Sequence, residues 1–117
     1  MRPITTHAVN PVNEAIQLLV ADQPGSGGAC HQYVVKYPGY NVTIQFQNGP
    51  VKEAGINGIT NEVLLAILRD RLEGFQSGKF ANEYNAKALE NIIAAQEVLL
   101  ERTRERIERG VEGTHQQ

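Results

Sequence analysis

The chain has 117 residues, 41% of them apolar with no Trp, and a formal net charge of −2. That length suits one compact domain over 1–117, and the charge argues against DNA or RNA held by electrostatics. A single cysteine, Cys30, excludes an internal disulfide and a cysteine-rich metal site, and no apolar run approaches the roughly 18 residues of a membrane span.

The first residues, MRPITTHAVNPVNEA, lack the apolar stretch of a signal peptide, which predicts a soluble intracellular protein. Residues 1–13, rich in Pro and Asn, read as a loose N-terminal arm or edge extension. A meander of three antiparallel strands is expected over 14–47. EAIQLLVAD reads as the first strand, with a Leu and Ala content that also suits a helix, and CHQYVVKY, β-branched and aromatic, supplies the second. Pro38 and Gly39 then occupy the favoured positions of a type II turn. In NVTIQFQ the apolar Val42, Ile44 and Phe46 alternate with Thr43, Gln45 and Gln47, the period of a half-buried strand.

FQNGPVKEAGINGITNE reads as a joint, with turns at Asn48–Gly49–Pro50 and at Asn57–Gly58. Beyond it the period changes. Thr60 is a good N-cap, Glu62 faces the positive end of the helix dipole, and Leu64, Ile67, Leu68, Leu72 and Phe75 recur at helical spacing. Gly78 offers a left-handed stop. A longer helix is expected from near Ala81 to about Arg109, its stripe formed by Leu89, Ile92, Leu99 and Ile107 with Gln96 and Thr103 set into it. The short connection makes 60–109 a helical hairpin, and 110–117 a tail. The fold class is therefore α+β: a small antiparallel β-meander followed by a C-terminal αα-hairpin.

Few residues suggest chemistry. PGSGGACH exposes glycine amides but lacks the Lys-Ser or Lys-Thr of a P-loop, so a hairpin loop is the simpler reading than an anion nest. Cys30 and His31 are neighbours on an extended segment and face opposite ways. His7 and His115 sit near the chain ends, and the carboxylates are scattered over helix surfaces, so no catalytic residue, metal site or cofactor is expected. Two features remain open between a structural and a binding role. In ERTRERIERG, Arg102 and Arg106 are like charges at i,i+4, suited either to a solvated face or to bidentate phosphate recognition. In GFQSGKFANEYNA, Phe75, Phe80 and Tyr84 surround a tight turn with Gln76 and Asn85 among them, suited to core packing or to stacking a nucleobase.

Taken together, FQNGP, GINGITNE and FQSGKFA within Phe46 to Leu89 resemble the phage anti-Thoeris sponge family. The resemblance implies a phage protein in the cytoplasm of the infected bacterium. It would bind and hold a cyclic ADP-ribose isomer (glycocyclic ADP-ribose) without degrading it, silencing the host's Thoeris defence. It further implies a homodimer able to assemble further, with ligand at its interface. By the same likeness Phe75 matches the stacking aromatic and Asn85 a base- or sugar-reading amide, with Phe80 and Gln76 beside them; Arg102 and Arg106 match phosphate-clamping arginines. Cyclic di- or trinucleotides of CBASS defence are an alternative ligand, and a phage interaction module that binds no nucleotide is another reading.

One consequence of that site follows from helix geometry. Asn85 and Arg102 lie 17 positions apart, about 25 Å along a helix. A compact cyclic nucleotide cannot touch both on one chain, so if both line one pocket, as the resemblance implies, they must come from different protomers packed antiparallel. The crossing would then fall near Ala94 and Ala95, whose small side chains permit close approach.

Overall fold

The computed structural model describes residues 1–114; the last three residues of the expected tail, His115 among them, lie outside the described residues. The chain forms two compact units, 1–59 and 60–117. The α+β expectation holds, with an antiparallel sheet in the first unit and a helical hairpin in the second.

In the first unit the strands β1 (Arg2–Ile4), β2 (Gln17–Val20), β3 (Gln32–Tyr37) and β4 (Tyr40–Gln45) lie in the order β1-β2-β3-β4, each antiparallel to the next. The meander thus has four strands rather than three. β1 comes from the segment expected to be a loose arm and pairs Arg2 with Val20 and Ile4 with Leu18. The arm is pinned again by His7, whose Nε2–H donates to the Ile16 carbonyl at 2.7 Å. A short helix, α1 (Pro11–Glu14), fills the connection, with Asn10 as its N-cap and proline in its first turn. The β3–β4 hairpin turns at Pro38–Gly39, with Gly39 at φ 87°, and Tyr37 stacks on Tyr40 across it.

The glycine-rich segment between β2 and β3 is a hairpin loop. Its Gly25 and Gly28 amides donate to the carbonyls of Ala29 and Gly25, and are spent within the loop. Asp22 closes it, its carboxylate accepting from the backbone amides of His31 at 2.9 Å and Gln32 at 3.1 Å. Partial burial pushes the Asp22 carboxyl up. Donation from His31 and Gln32, with the nearby charge of His31, outweighs this and leaves it below the ordinary carboxylate range.

Residues 46–59 carry polar side chains that bond back to the chain. Gln47 donates from Nε2 to the Gly55 carbonyl at 2.8 Å and accepts from the Asn57 amide at 2.9 Å. Asn57 accepts from the Asn48 amide at 2.8 Å and donates to the Asn48 carbonyl at 2.7 Å. A one-turn helix, α2 (Val51–Ala54), sits inside the loop so closed. A parallel bridge joins Phe46 to Ile59, and here Gly58 passes the strand so closely that a Cβ would stand 2.4 Å from the Phe46 carbonyl carbon. Only glycine fits.

The second unit consists of α3 (Asn61–Gln76) and α4 (Glu83–Glu108), packed on one another. Thr60 caps α3 as expected, its hydroxyl accepting from the Val63 amide. The stop differs from expectation. Ser77 is the C-cap in ordinary right-handed geometry, and Gly78 keeps a negative φ. Gln96, polar within an apolar stripe, accepts from Arg69 at 3.1 Å, which ties the two helices together. Ile107, expected in that stripe, is instead exposed.

Among the described residues Val20 is the one fully buried large apolar side chain, at 2% exposure. Ile67, Leu68, Phe75, Val98 and Ile107 of the hairpin all present substantial apolar surface.

Candidate ligand site

The turn between α3 and α4 gathers four of the six residues singled out from sequence. Phe75 lies in the last turn of α3 and is 42% exposed; Phe80, in the turn, is 66% exposed. Asn82 organises the turn, capping α4 by accepting from the Asn85 amide at 2.8 Å. Gln76 supports it from the other side, its Oε1 accepting from the Asn82 amide at 3.0 Å. Its oxygen therefore shapes the turn, while its NH₂ remains for a further acceptor. Asn85, half-buried in the first turn of α4, has its side-chain amide unbonded among the described residues. The result is a compact tip offering two aromatic faces and an uncommitted amide.

A cation accompanies each exposed ring. The Arg71 guanidinium lies 5.6 Å from the Phe75 ring centroid, and the Lys79 ammonium 5.6 Å from that of Phe80. Neither was singled out from sequence, although the i,i+4 spacing of Arg71 and Phe75 on a helix was there to be read.

Arg102 and Arg106 stand toward the far end of α4, away from the tip. Along α4 the rise from Asn85 to Arg102 is about 25 Å, so one chain does not bring them together. Their environments also differ. Arg102 is exposed and forms no hydrogen bond or ion pair among the described residues. Arg106 is 5% exposed and faces its own chain end. Its Nη2 donates to the carbonyls of Val111 at 2.9 Å and Thr114 at 3.1 Å, and its Nε stands 3.4 Å from the Glu112 carboxylate. The helix stop makes this possible. Gly110, at φ 72°, lets the chain reverse so that the Val111 amide reaches back to the Arg106 carbonyl at 3.0 Å, a Schellman closure. No sequence pattern announced that role, because it needs the tail to fold back over α4.

The remaining arginines of the run follow the simpler reading. Arg109 pairs with Glu105 at 2.7 Å, an i,i+4 contact on an exposed face.

Residues 40–104 match the family model described as Acb2/Tad1, hairpin domain, which spans β4, the joint, α3 and most of α4. A curated relative, Thoeris anti-defense 1 of Bacillus phage SBSphiJ7, is 44% identical over 93 residues. That alignment covers 79% of this chain and 66% of the relative, so the chain spans slightly less than two thirds of its length. With a turn, capping residues and exposed tip all inside the matched region, the chain belongs to the Acb2/Tad1 hairpin-domain family.

Proposed function

We propose that this protein is a phage anti-defence sponge. It holds a cyclic ADP-ribose isomer, glycocyclic ADP-ribose, in the cytoplasm of the infected bacterium and so starves the Thoeris effector of its signal. The observation that carries this reading is the 44% identity to a phage protein named Thoeris anti-defense 1.

The tip chemistry is in keeping with such a ligand. An adenine ring stacks on Phe75 with Phe80 at its edge, and Asn85 with the free NH₂ of Gln76 reads polar groups of base and ribose. Arg102 takes the pyrophosphate, with Arg106 behind it. Since tip and Arg102 are far apart on α4, each pocket joins the tip of one protomer to Arg102 of an antiparallel second copy. A two-fold dimer of this kind carries two equivalent pockets. Exposed Ala94, Ala95 and Val98 along α4 supply a surface for that crossing. Holding is by binding alone, and slow release follows from burying the ligand between protomers.

The test is incubation of the purified protein with lysate from cells whose Thoeris system has been triggered, then heat release and mass spectrometry. Recovery of an intact cyclic ADP-ribose isomer is expected. A cleaved product would make the protein an enzyme, a cyclic di- or trinucleotide would reassign the ligand, and an empty protein would overturn the sponge reading.

A further inference from the structure

Arg71 stands in an unusual position on α3. Ile67, Arg71 and Phe75 follow one another at i, i+4 and i+8 along one face, with Leu68 beside them, and all three apolar members are exposed. Arg69, two positions earlier, is committed to the hairpin through Gln96, Glu73 and Glu97. Arg71 forms no ion pair among the described residues, and its one recorded contact is the Phe75 ring. A guanidinium is thus parked on an aromatic face within an apolar stripe, without an anion.

That arrangement is inexpensive in water and costly once covered. A base laid on Phe75 would strip water from Arg71 as well, because the guanidinium lies 5.6 Å from the ring centroid. A desolvated, unpaired cation is unfavourable unless an anion arrives with the occluding group. A nucleotide brings both the ring and the phosphate.

We propose that Arg71 is a ligand-contacting residue of the tip: it steadies the ring on Phe75 and donates to the phosphate of the nucleotide stacked there. This rests on the sponge reading and deepens it. Arg102 comes from the second copy, so Arg71 is the guanidinium that each tip supplies in cis. The pyrophosphate, with two negative charges, is then met by one arginine from each protomer. Its planar fork suits paired phosphate oxygens in a way a lysine cannot reproduce.

The test measures binding of glycocyclic ADP-ribose by calorimetry to the wild type, Arg71→Ala, Arg71→Lys, Phe75→Ala and, as a control, Arg104→Ala, an exposed α4 arginine outside the tip. Titrations are made at about 50 and about 300 mM NaCl, where screening of exposed charge differs strongly. Arg71→Ala should weaken binding at least about tenfold and flatten the salt dependence, as loss of a charge-assisted hydrogen bond requires. Arg71→Lys should restore the salt dependence and only part of the affinity. The unliganded melting temperature and the dimer mass should not move in either variant. If Arg71→Ala binds within about twofold of wild type while Phe75→Ala does not bind, the assignment of Arg71 falls and the sponge reading stands. An affinity loss explained by dissociation of the dimer would overturn it too. Absence of binding by the wild type to glycocyclic ADP-ribose and to the released lysate ligand would overturn both.

Discussion

Replacing Arg106 by alanine separates two roles that the sequence left superposed. The side chain is 5% exposed, and its guanidinium holds the Val111 and Thr114 carbonyls and faces Glu112. Each hydrogen bond to a charged group is worth about 1.5–3 kcal/mol, so two of them set a gross loss of about 3–6 kcal/mol. The tail is only half-buried, and once released its carbonyls find water while its backbone regains about 1–2 kcal/mol per freed residue. Because the freed residues 111–114 together offset most of the gross loss, the net cost is at most about 1–2 kcal/mol, which lowers the melting temperature by no more than roughly 5 °C for a chain of this size. Differential scanning calorimetry gives that number. Amide hydrogen exchange adds the location: the Val111 and Thr114 amides, bonded to the carbonyls of Arg106 and Val111, should lose protection first. A chain ending at Gly110 should show nearly the same loss, and adding Arg106→Ala to it should cost little more. The reasoning is refuted if Arg106→Ala leaves melting and tail exchange unchanged and weakens ligand binding alone. Arg106 would then be a phosphate clamp and not a strut.

Two further outcomes follow from the first unit. Gly58→Ala places a methyl 2.4 Å from backbone and should destabilise by about 3 kcal/mol, the upper end of overpacking costs, read as a lower urea midpoint with little change in slope. Asp22 has a folded-state pKa below its unfolded value, so its contribution is present at neutral pH and lost as pH falls through the depressed folded value. The protection of the His31 and Gln32 amides, taken relative to their intrinsic exchange rates at each pH, should fall on that acid limb. Asp22→Asn should remove that acid-limb loss of protection at His31 and Gln32.

What could be read from sequence was whatever is encoded locally. The Pro38–Gly39 turn, the Thr60 cap and the ends of α4 depend on residues within a turn of each other, and each stands where expected. The pairing of β1 depends on a partner fourteen or more positions away, and a three-residue strand with one proline carries almost no period of its own. Gly78 and Ile107 misled for a related reason. Ser77 already terminates α3, and Ile107 lies exposed in the last turn of α4. At the candidate site, the aromatic tip and its amides were legible because they crowd one short segment. The burial of Arg106 was not, since i,i+4 spacing says nothing of a tail that folds back beyond a glycine.

The amide clasp of the joint has a chemical corollary. Asn57 precedes Gly58, and Asn–Gly is the dipeptide that closes most readily to a succinimide and ages to aspartate. Both ends of the Asn57 amide are held by the Asn48 backbone, and Gly58 is wedged against the strand, so swinging the amide carbon onto the Gly58 nitrogen costs those bonds while the joint is shut. Deamidation at Asn57 thus becomes a covalent record of how often the joint has opened, legible as a small mass gain in stored protein. Once made it is self-reinforcing, because aspartate cannot donate to the Asn48 carbonyl and would set a charge against it.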